Sequence, residues 1–324
     1  GYSSCDFLDI VPDEITTEAD AFKDRNAAKN FVYSCYGYLP QSNVASGSLD
    51  LLTGDEVITA FEHETFASFP KGNYTASSPV ISYWNTFFQG LRQCYIFLEN
   101  VDKVPDLTES VKTDYIAQVK FLIAYYHYQL ARCYGPIILI KELPDVNASQ
   151  AEYLPRTSYD ECVDWICNLL DEAASSLPAI RTNKEDYGLA TSVGAKAVKA
   201  KMLLYAASPL FNGNSSFYSN FTDKSGSQLM PLTYDPNKWV KAKTAIKEAI
   251  DLAEQNGHAL YVKQDYKIGN EDANPYPAAG PVRCLRTSLV DWDSRNPEVL
   301  LAETRSEGSY GIPVSYTHLT LPTT

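Results

Sequence analysis

The sequence predicts a mainly α-helical fold, in which helical hairpins are joined by long irregular loops with few short strands. Three observations support this prediction. Apolar residues recur at intervals of three and four along several long segments, which is the spacing of one helix face. Candidate strands are limited to two short runs, 137–140 and 298–303. Irregular stretches at about 40–79, 211–236 and 258–296 interrupt the helices, and such long loops are usually functional or disordered.

The first helical segments are expected at about 18–38 and 80–103, and the clearest one follows in TDYIAQVKFLIAYYHYQLARCYGP at 113–136. Two apolar stripes run along it: one contains Tyr115, Val119, Leu122, Tyr126, Leu130 and Cys133, and the other contains Ile116, Ile123, His127 and Tyr134. A helix that is apolar on two faces is expected to lie between neighbouring helices. We therefore interpret His127 as a core residue, and Gly135 and Pro136 as the end of the helix.

Three more helices follow in order. SYDECVDWICNLLDEAASSLP begins at Ser158 and has Glu161 three residues later, which predicts a capping box. TSVGAKAVKAKMLLYAASPLF is rich in alanine, which allows helices to approach closely. In NKWVKAKTAIKEAIDLAEQNG, one face is predicted to carry Trp239, Ala242, Ile246, Ala249, Ile250 and Ala253. Because the helices pair at similar lengths, we expect degenerate hairpin repeats of the tetratricopeptide type.

Composition and charge argue against several functions. The 324 residues include 27 basic and 40 acidic side chains, a formal net charge of −13. This disfavours nucleic-acid binding, because phosphate contacts need clustered Lys and Arg. No apolar run approaches the length of a membrane-spanning helix. The seven cysteines form no CxxC pair, so neither a zinc site nor a redox motif is indicated. Cys162 and Cys167 point to different faces of one helix and are not expected to bridge.

Catalytic motifs are missing from the sequence, which contains no GxGxxG, GxxxxGK[ST], HExxH or GxSxG. No cofactor or metal is therefore predicted. The sequence GDE at 54–56 supplies Asp55 and Glu56, carboxylates of the kind that glycoside hydrolysis uses. Adjacent carboxylates are far more often loop or cap residues, so a glycoside hydrolase is kept as an alternative. A helical-repeat scaffold whose partner is only protein is the other alternative.

Aromatic and planar polar residues concentrate in the irregular segments. A sugar has an apolar C–H face and a rim of hydroxyls, so flat rings and planar polar groups match its chemistry. The candidate glycan-binding residues are Phe66, Phe69, Asn73, Tyr74, Tyr276, Arg283 and Trp292. The competing interpretation is that each of these side chains pins a loop onto the helical body.

Several stretches, in this order, carry a resemblance to a known family: CDFLDIVPDEITTEADAF, YWNTFFQGLRQCYIFLENVDKV, AQVKFLIAYYHYQLARCYGPIILI and ATSVGAKAVKAKMLLYAASPLFN. Together with further matches they cover most of residues 5–305, and they resemble the SusD/RagB family, the surface glycan-binding lipoproteins of Bacteroidetes. The resemblance implies a tetratricopeptide-like helical fold and no enzymatic activity. It also implies an oligosaccharide ligand, a SusC-like TonB-dependent transporter as partner, and a place on the outer-membrane surface.

The resemblance also gives a role to Cys5, which follows the small residues Ser3 and Ser4 and precedes acidic residues. In such proteins this cysteine becomes the N-terminus after signal-peptide removal and carries acyl chains, of which more than one is needed for stable anchoring. Tyr2 departs from the usual aliphatic residue at its position.

The resemblance divides the chain into three parts. Residues 1–17 are expected to be the lipoprotein N-terminal segment, and 18–313 a SusD-like helical domain that is the N-terminal part of a longer family domain. The last part, VSYTHLTLPTT at 314–324, has no helical period and looks like a translated sequencing adapter. The native sequence is therefore expected to end near Ile312 or Pro313.

Overall fold

A computed structural model of the chain describes residues 18–40, 65–144, 154–263, 280–288, 291, 296–302 and 304. This part is mainly α-helical, as predicted. Its helices are α1 (Glu18–Ala21), α2 (Arg25–Tyr36), α3 (Trp84–Asn100), α4 (Glu109–Tyr134), α5 (Tyr159–Ser176), α6 (Ser192–Ala207), α7 (Ser215–Tyr218), α8 (Asn237–Gln255) and α9 (Pro281–Ser288).

The longer helices pack one against the next, in the manner of stacked hairpins. Helix α2 lies against α3 and α4, α3 packs on α4, α4 on α5, α5 on α6, and α6 on α8. One large cluster of buried apolar side chains runs from Phe22, just after α1, to Phe211 and Met230, beyond α6. The contact of α6 with α8 forms a small separate cluster of alanines, Ala200, Ala245 and Ala249.

Helix α4 is the centre of the core, as its two apolar stripes predict. Thr108 begins it by accepting a hydrogen bond from the Val111 amide through its side chain, and Gly135 follows it at a φ of 72°. His127 is fully buried. Its Nδ1 bonds the Ile123 carbonyl at 2.8 Å, and its Nε2 accepts from the Ile140 amide at 3.0 Å. Burial lowers the pKa of His127 to about 4, so the ring is neutral, and its predicted place in the core is confirmed.

The two predicted strands do not form in the described residues. In 137–140, backbone carbonyls that could pair with a neighbouring strand accept hydrogen bonds from a loop amide and from a side chain instead. The Ile137 carbonyl accepts from the Thr157 amide at 2.7 Å, and the Ile140 carbonyl accepts from the Tyr95 hydroxyl at 2.6 Å. Residues 298–302 form a turn and irregular backbone. Within the described ranges, β-pairing is limited to isolated bridges at 75–78 and 222–228.

The predicted capping box at the start of α5 is wrong. The Ser158 hydroxyl donates to the Glu161 carboxylate at 2.6 Å and makes no bond to the helix backbone. The Tyr159 amide, at the first helical position, donates instead to the Leu229 carbonyl at 2.8 Å. A neighbouring loop therefore satisfies part of the helix terminus.

The predicted apolar face of α8 is correct for its alanines and partly correct for Ile246, which is half-buried against the contact with α6. The buried positions of α8 are Ala242, Ala245, Ala249 and Ala253. Trp239 and Ile250, which were expected on the same face, are 41% and 51% exposed. Alanine brings α8 close to α6, and the larger side chains lie beside that contact.

The cysteines within the described ranges are all free thiols, so the expectation that Cys162 and Cys167 do not bridge is confirmed. Cys35 and Cys94 are buried, and Cys133 is partly buried. Cys5 and the segments 1–17 and 314–324 lie outside the described residues, and the proposals for them stay predictions.

Candidate functional site

One wall of the candidate site comes from the irregular segment that precedes α3. Its described part begins with a 3-10 helix, Thr65–Ser68, and turns at Gly72. The φ of Gly72 is 63°, a left-handed value that favours glycine. The Gly72 amide donates to the Phe69 carbonyl at 3.0 Å and closes the turn. The turn brings Phe69 and Tyr74 into an edge-to-face contact, with ring centroids 5.5 Å apart.

An open cavity of about 580 Å³ lies between this segment, the end of α4 and the end of α6. Such a volume lies within the range of small-molecule sites, roughly 300–1,000 Å³. Six aromatic side chains line it, and we call it the aromatic groove: Phe69, Tyr74, Tyr83, Tyr134, Tyr205 and Phe211. Aromatic rings from three separate parts of the chain therefore converge on one concave surface.

The rings of Tyr83, just before α3, and Tyr134, at the end of α4, are held by specific contacts. Tyr83 stacks on Phe87 with centroids 5.1 Å apart and planes 17° apart. The Tyr83 amide donates to the Tyr134 hydroxyl at 2.9 Å. The Tyr134 ring also meets Trp84 edge-on at 5.2 Å, and the Arg156 guanidinium lies 5.4 Å from the Trp84 ring. These contacts fix the two tyrosines before any ligand arrives, which reduces the entropy lost on binding.

The wall beyond α6 is fixed in the same way. Phe211 stacks almost parallel on Tyr159, with centroids 4.8 Å apart and planes 9° apart. Tyr205 meets Phe211 edge-on at 6.5 Å. The chain turns sharply at this point, because the Phe211 amide donates to the Ser208 carbonyl just past the end of α6. Tyr159 is the first residue of α5, so this wall rests on the helical core.

The polar groups of the groove are few. Arg132 is the charged residue among the described residues that line it, and Thr75 and the tyrosines add hydroxyl groups. A guanidinium carries five N–H donors in a fixed plane, which suits the hydroxyl or carboxylate groups of a ligand. The described lining includes no Asp, Glu or His, so it offers no carboxylate pair for acid–base chemistry.

The structure brings two of the predicted glycan-binding residues together in the groove, Phe69 and Tyr74. Asn73 lies in the same turn and is exposed, but it does not line the cavity. Arg283 is 5% exposed on α9 and does not line it either. Phe66 belongs to the 3-10 helix, with its side chain outside the described residues.

Other predicted positions fall outside the described residues altogether. These are Tyr276, Trp292 and the carboxylates of Asp55 and Glu56. The arrangement of these groups therefore stays a prediction.

Sequence reasoning missed most of the groove. The sequence pattern does not single out Tyr83, Arg132, Tyr134, Tyr205 or Phe211, since Tyr134 fits an apolar helix stripe and the others fall in or beside helices. One signal could have found two of them. Tyr134 and Tyr205 lie close to helix ends, because a proline follows each within four residues, at Pro136 and Pro209. Aromatic residues at such ends can face a loop instead of a helix.

Metal sites and membrane-spanning helices are two further features to consider in the described residues. Across 18–40, 65–144, 154–263 and the shorter described ranges, no group of three or more His, Cys, Asp or Glu side chains is placed to hold a metal ion. In the same residues, no helix combines the length and the apolar character needed to cross a bilayer.

The structure therefore places the chain among α-helical proteins that are built from stacked helical hairpins and carry a concave surface lined by aromatic side chains. The chain belongs to the SusD-like family: a family model described as "Starch-binding associating with outer membrane" matches residues 6–204. The resemblance that the sequence stretches indicate is thereby confirmed.

Individual relatives agree with this assignment. SusD-like protein P25 of Formosa agariphila is 22% identical over 214 residues, which are 62% of this chain and 40% of that protein. The solved structure of BT4246 is 36% identical and has a TM-score of 0.69, over 75% of this chain and 42% of that one. A SusD-like protein from Bacteroides fragilis shares the fold, with 21% identity and a TM-score of 0.57 over 76% of this chain and 41% of its own. The chain thus spans less than half the length of these relatives.

Proposed function

We propose that this chain is part of a non-catalytic protein that binds oligosaccharides in the aromatic groove. One observation carries the proposal: six aromatic side chains line a cavity of about 580 Å³ in a member of a family described as starch-binding. Flat rings match the apolar faces of sugar rings, while Arg132 and the tyrosine hydroxyls match the hydroxyl rim.

The geometry suggests how such a ligand would bind. Tyr74 is 51% exposed, so its ring is accessible to a sugar face while Phe69 supports it from the side. Sugar hydroxyls exchange hydrogen bonds with water for hydrogen bonds with protein, so each one adds little net free energy. We therefore expect micromolar or weaker affinity, about −8 kcal/mol or less favourable.

The experiment is calorimetry of the purified chain against a broad panel of neutral and acidic oligosaccharides, followed by Tyr74→Ala with the ligand that binds best. Loss of one stacking ring should weaken binding about tenfold, which corresponds to ~1.4 kcal/mol. Phe217→Ala is the matched control, because Phe217 is an aromatic side chain that is 76% exposed and does not line the groove.

Equal affinities for the wild type and Tyr74→Ala would place the glycan elsewhere on the protein. A panel without a single ligand would contradict glycan binding by this chain. Release of reducing sugar from any ligand, abolished by Asp55→Asn or Glu56→Gln, would instead support the glycoside hydrolase alternative.

We further propose that the native protein is anchored to the outer membrane through acyl chains on Cys5 and delivers its ligand to a TonB-dependent transporter. The support is the family description, which associates these proteins with the outer membrane, and the small and acidic residues around Cys5. Palmitate labelling of the native precursor should be lost in Cys5→Ala. Equal label in the wild type and in Cys5→Ala would refute the anchor. Co-purification from membranes should recover a transporter.

A further inference from the structure

Helix α3 closely approaches the residues just past the end of α2, at Gly90. A Cβ atom placed on Gly90 would lie 2.9 Å from the Cβ of Tyr38 and 3.0 Å from the Tyr126 ring. Real Cβ atoms do not approach to that distance, so glycine is what lets α3 approach the residues just past the end of α2.

The register of the two helices follows from a second contact. Three residues beyond Gly90, the Gln93 side-chain amide donates to the Ser34 hydroxyl at 2.8 Å. Ser34 lies four residues before Tyr38, so the helices run antiparallel. Cys94 follows Gln93 on α3 and Cys35 follows Ser34 on α2, so both cysteines lie beside this contact.

These two cysteines face each other in the core. Both are 0% exposed, and the Cys35 thiol is near enough to help raise the pKa of Cys94. A disulfide requires Cα atoms about 4.4–6.8 Å apart and facing Cβ atoms. The close approach at Gly90, one helical turn before Cys94, and the Gln93–Ser34 hydrogen bond beside both cysteines place the two thiols on facing sides of this interface. Cys162 and Cys167 are also buried, but they lie five residues apart on one helix and do not meet the requirement for facing Cβ atoms.

We propose that Cys35 and Cys94 form a disulfide that joins α2 to α3 when the protein folds in an oxidising compartment. The oxidant is a small-molecule disulfide. One cysteine thiolate attacks it, which forms a mixed disulfide and releases one thiol; the second cysteine then attacks the mixed disulfide and releases the other thiol. Two protein thiols are oxidised, the small disulfide is reduced to two thiols, and the protons go to those thiolates.

The order of events follows from burial. Burial, and then the neighbouring Cys35 thiol, raise the pKa of Cys94 well above its usual range, so this thiol is unreactive in the folded core. Exchange must therefore occur before α2 and α3 have fully packed. The family is described as associating with the outer membrane, which lies outside the reducing cytosol.

The test is to unfold the reduced chain, refold it with excess glutathione disulfide, alkylate the remaining thiols, and map peptides without reduction. The peptide containing Cys35 should be linked to the one containing Cys94, and dithiothreitol during refolding should abolish the link. Cys162 and Cys167 should be alkylated in the same sample. The closed loop spans about 60 residues, so the oxidised chain should melt roughly 5 °C or more above the reduced one.

The variant Cys94→Ala gives the matched comparison, with Cys162→Ala as control. In Cys94→Ala, Cys35 should be alkylated and the melting temperature should no longer respond to dithiothreitol. If Cys94→Ala fails to fold, the wild-type peptide map decides by itself. Alkylation of both Cys35 and Cys94 in refolded wild type, or pairing of either one mainly with another cysteine, would overturn the proposal.

Discussion

Helices α4 and α8 show the same helical periodicity of apolar residues, but they differ sharply in which of those side chains are buried. From Ala117 to Ala131 in α4, every residue is buried except Lys120 and Tyr125, which are partly exposed. In α8 the buried positions are four alanines, while Trp239 and Ile250 are substantially exposed. A repeat of apolar residues thus predicts that a helix forms and has one apolar face, but the side-chain volume on that face decides how much it stabilises the fold.

The neighbours of each helix explain the difference. Helix α4 contacts α2, α3, α5 and α6, so that large side chains on all its faces lose contact with water. Helix α8 packs chiefly on α6 in the described residues, through alanines. Burying a leucine-sized side chain contributes about 1.5–3 kcal/mol, whereas a methyl group contributes less than half of that.

The largest expected effect compares a leucine of α4 with an isoleucine of α8. Leu122→Ala should lower the free energy of unfolding by about 4 kcal/mol, because it leaves a cavity in a fully buried part of the core. Ile250→Ala should change it by less than about 0.5 kcal/mol, because half of that side chain is already in water. Urea unfolding followed by circular dichroism measures both. Similar losses for the two variants would show that α8 has a further packing partner in solution.

This contrast also shows how much the sequence could predict. The two stripes of α4 and the place of His127 in the core follow from the spacing, because neighbouring helices cover the middle of α4 on all sides. The exposure of Trp239 does not, because it depends on which neighbour α8 has. The groove was predicted only at Phe69 and Tyr74, since Tyr134, Tyr205 and Phe211 come together through tertiary packing that a local pattern does not encode.

The second prediction uses the titration of His127 in α4. Its pKa is lowered from 6.5 to about 4 in the fold, so the unfolded chain binds a proton more readily between these values. The stability contributed by the neutral ring is complete above pH 6.5 and is lost as the pH falls toward 4, by about 3 kcal/mol in total. Urea unfolding across that range measures it. His127→Gln, which keeps a donor and an acceptor, should flatten the profile, and an unchanged slope would contradict this origin.

The third prediction concerns a polar contact that ties the core layers together. The Tyr36 hydroxyl donates to the side-chain Oε1 of Gln118 at 2.9 Å and accepts from the backbone amide of Ala190 at 2.9 Å. Tyr36→Phe leaves both groups buried without this partner, so we expect a loss of about 2 kcal/mol. Tyr33→Phe on the same helix is the control, because Tyr33 is 39% exposed, and it should be nearly neutral. Equal stability of the two variants would mean that water replaces the hydroxyl.

The smallest expected effect compares an ion-pair network between two helices with a single ion pair on an exposed helix face. Asp171 on α5 lies between Lys196 and Lys199 of α6, at 2.7 and 2.6 Å, so one carboxylate joins two helices. Because this is a partly buried three-charge network, Asp171→Asn should cost about 1 kcal/mol, and the cost should shrink in 1 M salt. The pair of Lys247 and Asp251 lies on the exposed face of α8, and its loss in Asp251→Asn should be too small to measure, since water and salt screen it. Denaturant titrations at low and high salt separate the two cases. If both variants lose the same stability, the charges act through the net charge of −13 and not through their partners, because removing either carboxylate changes that net charge equally.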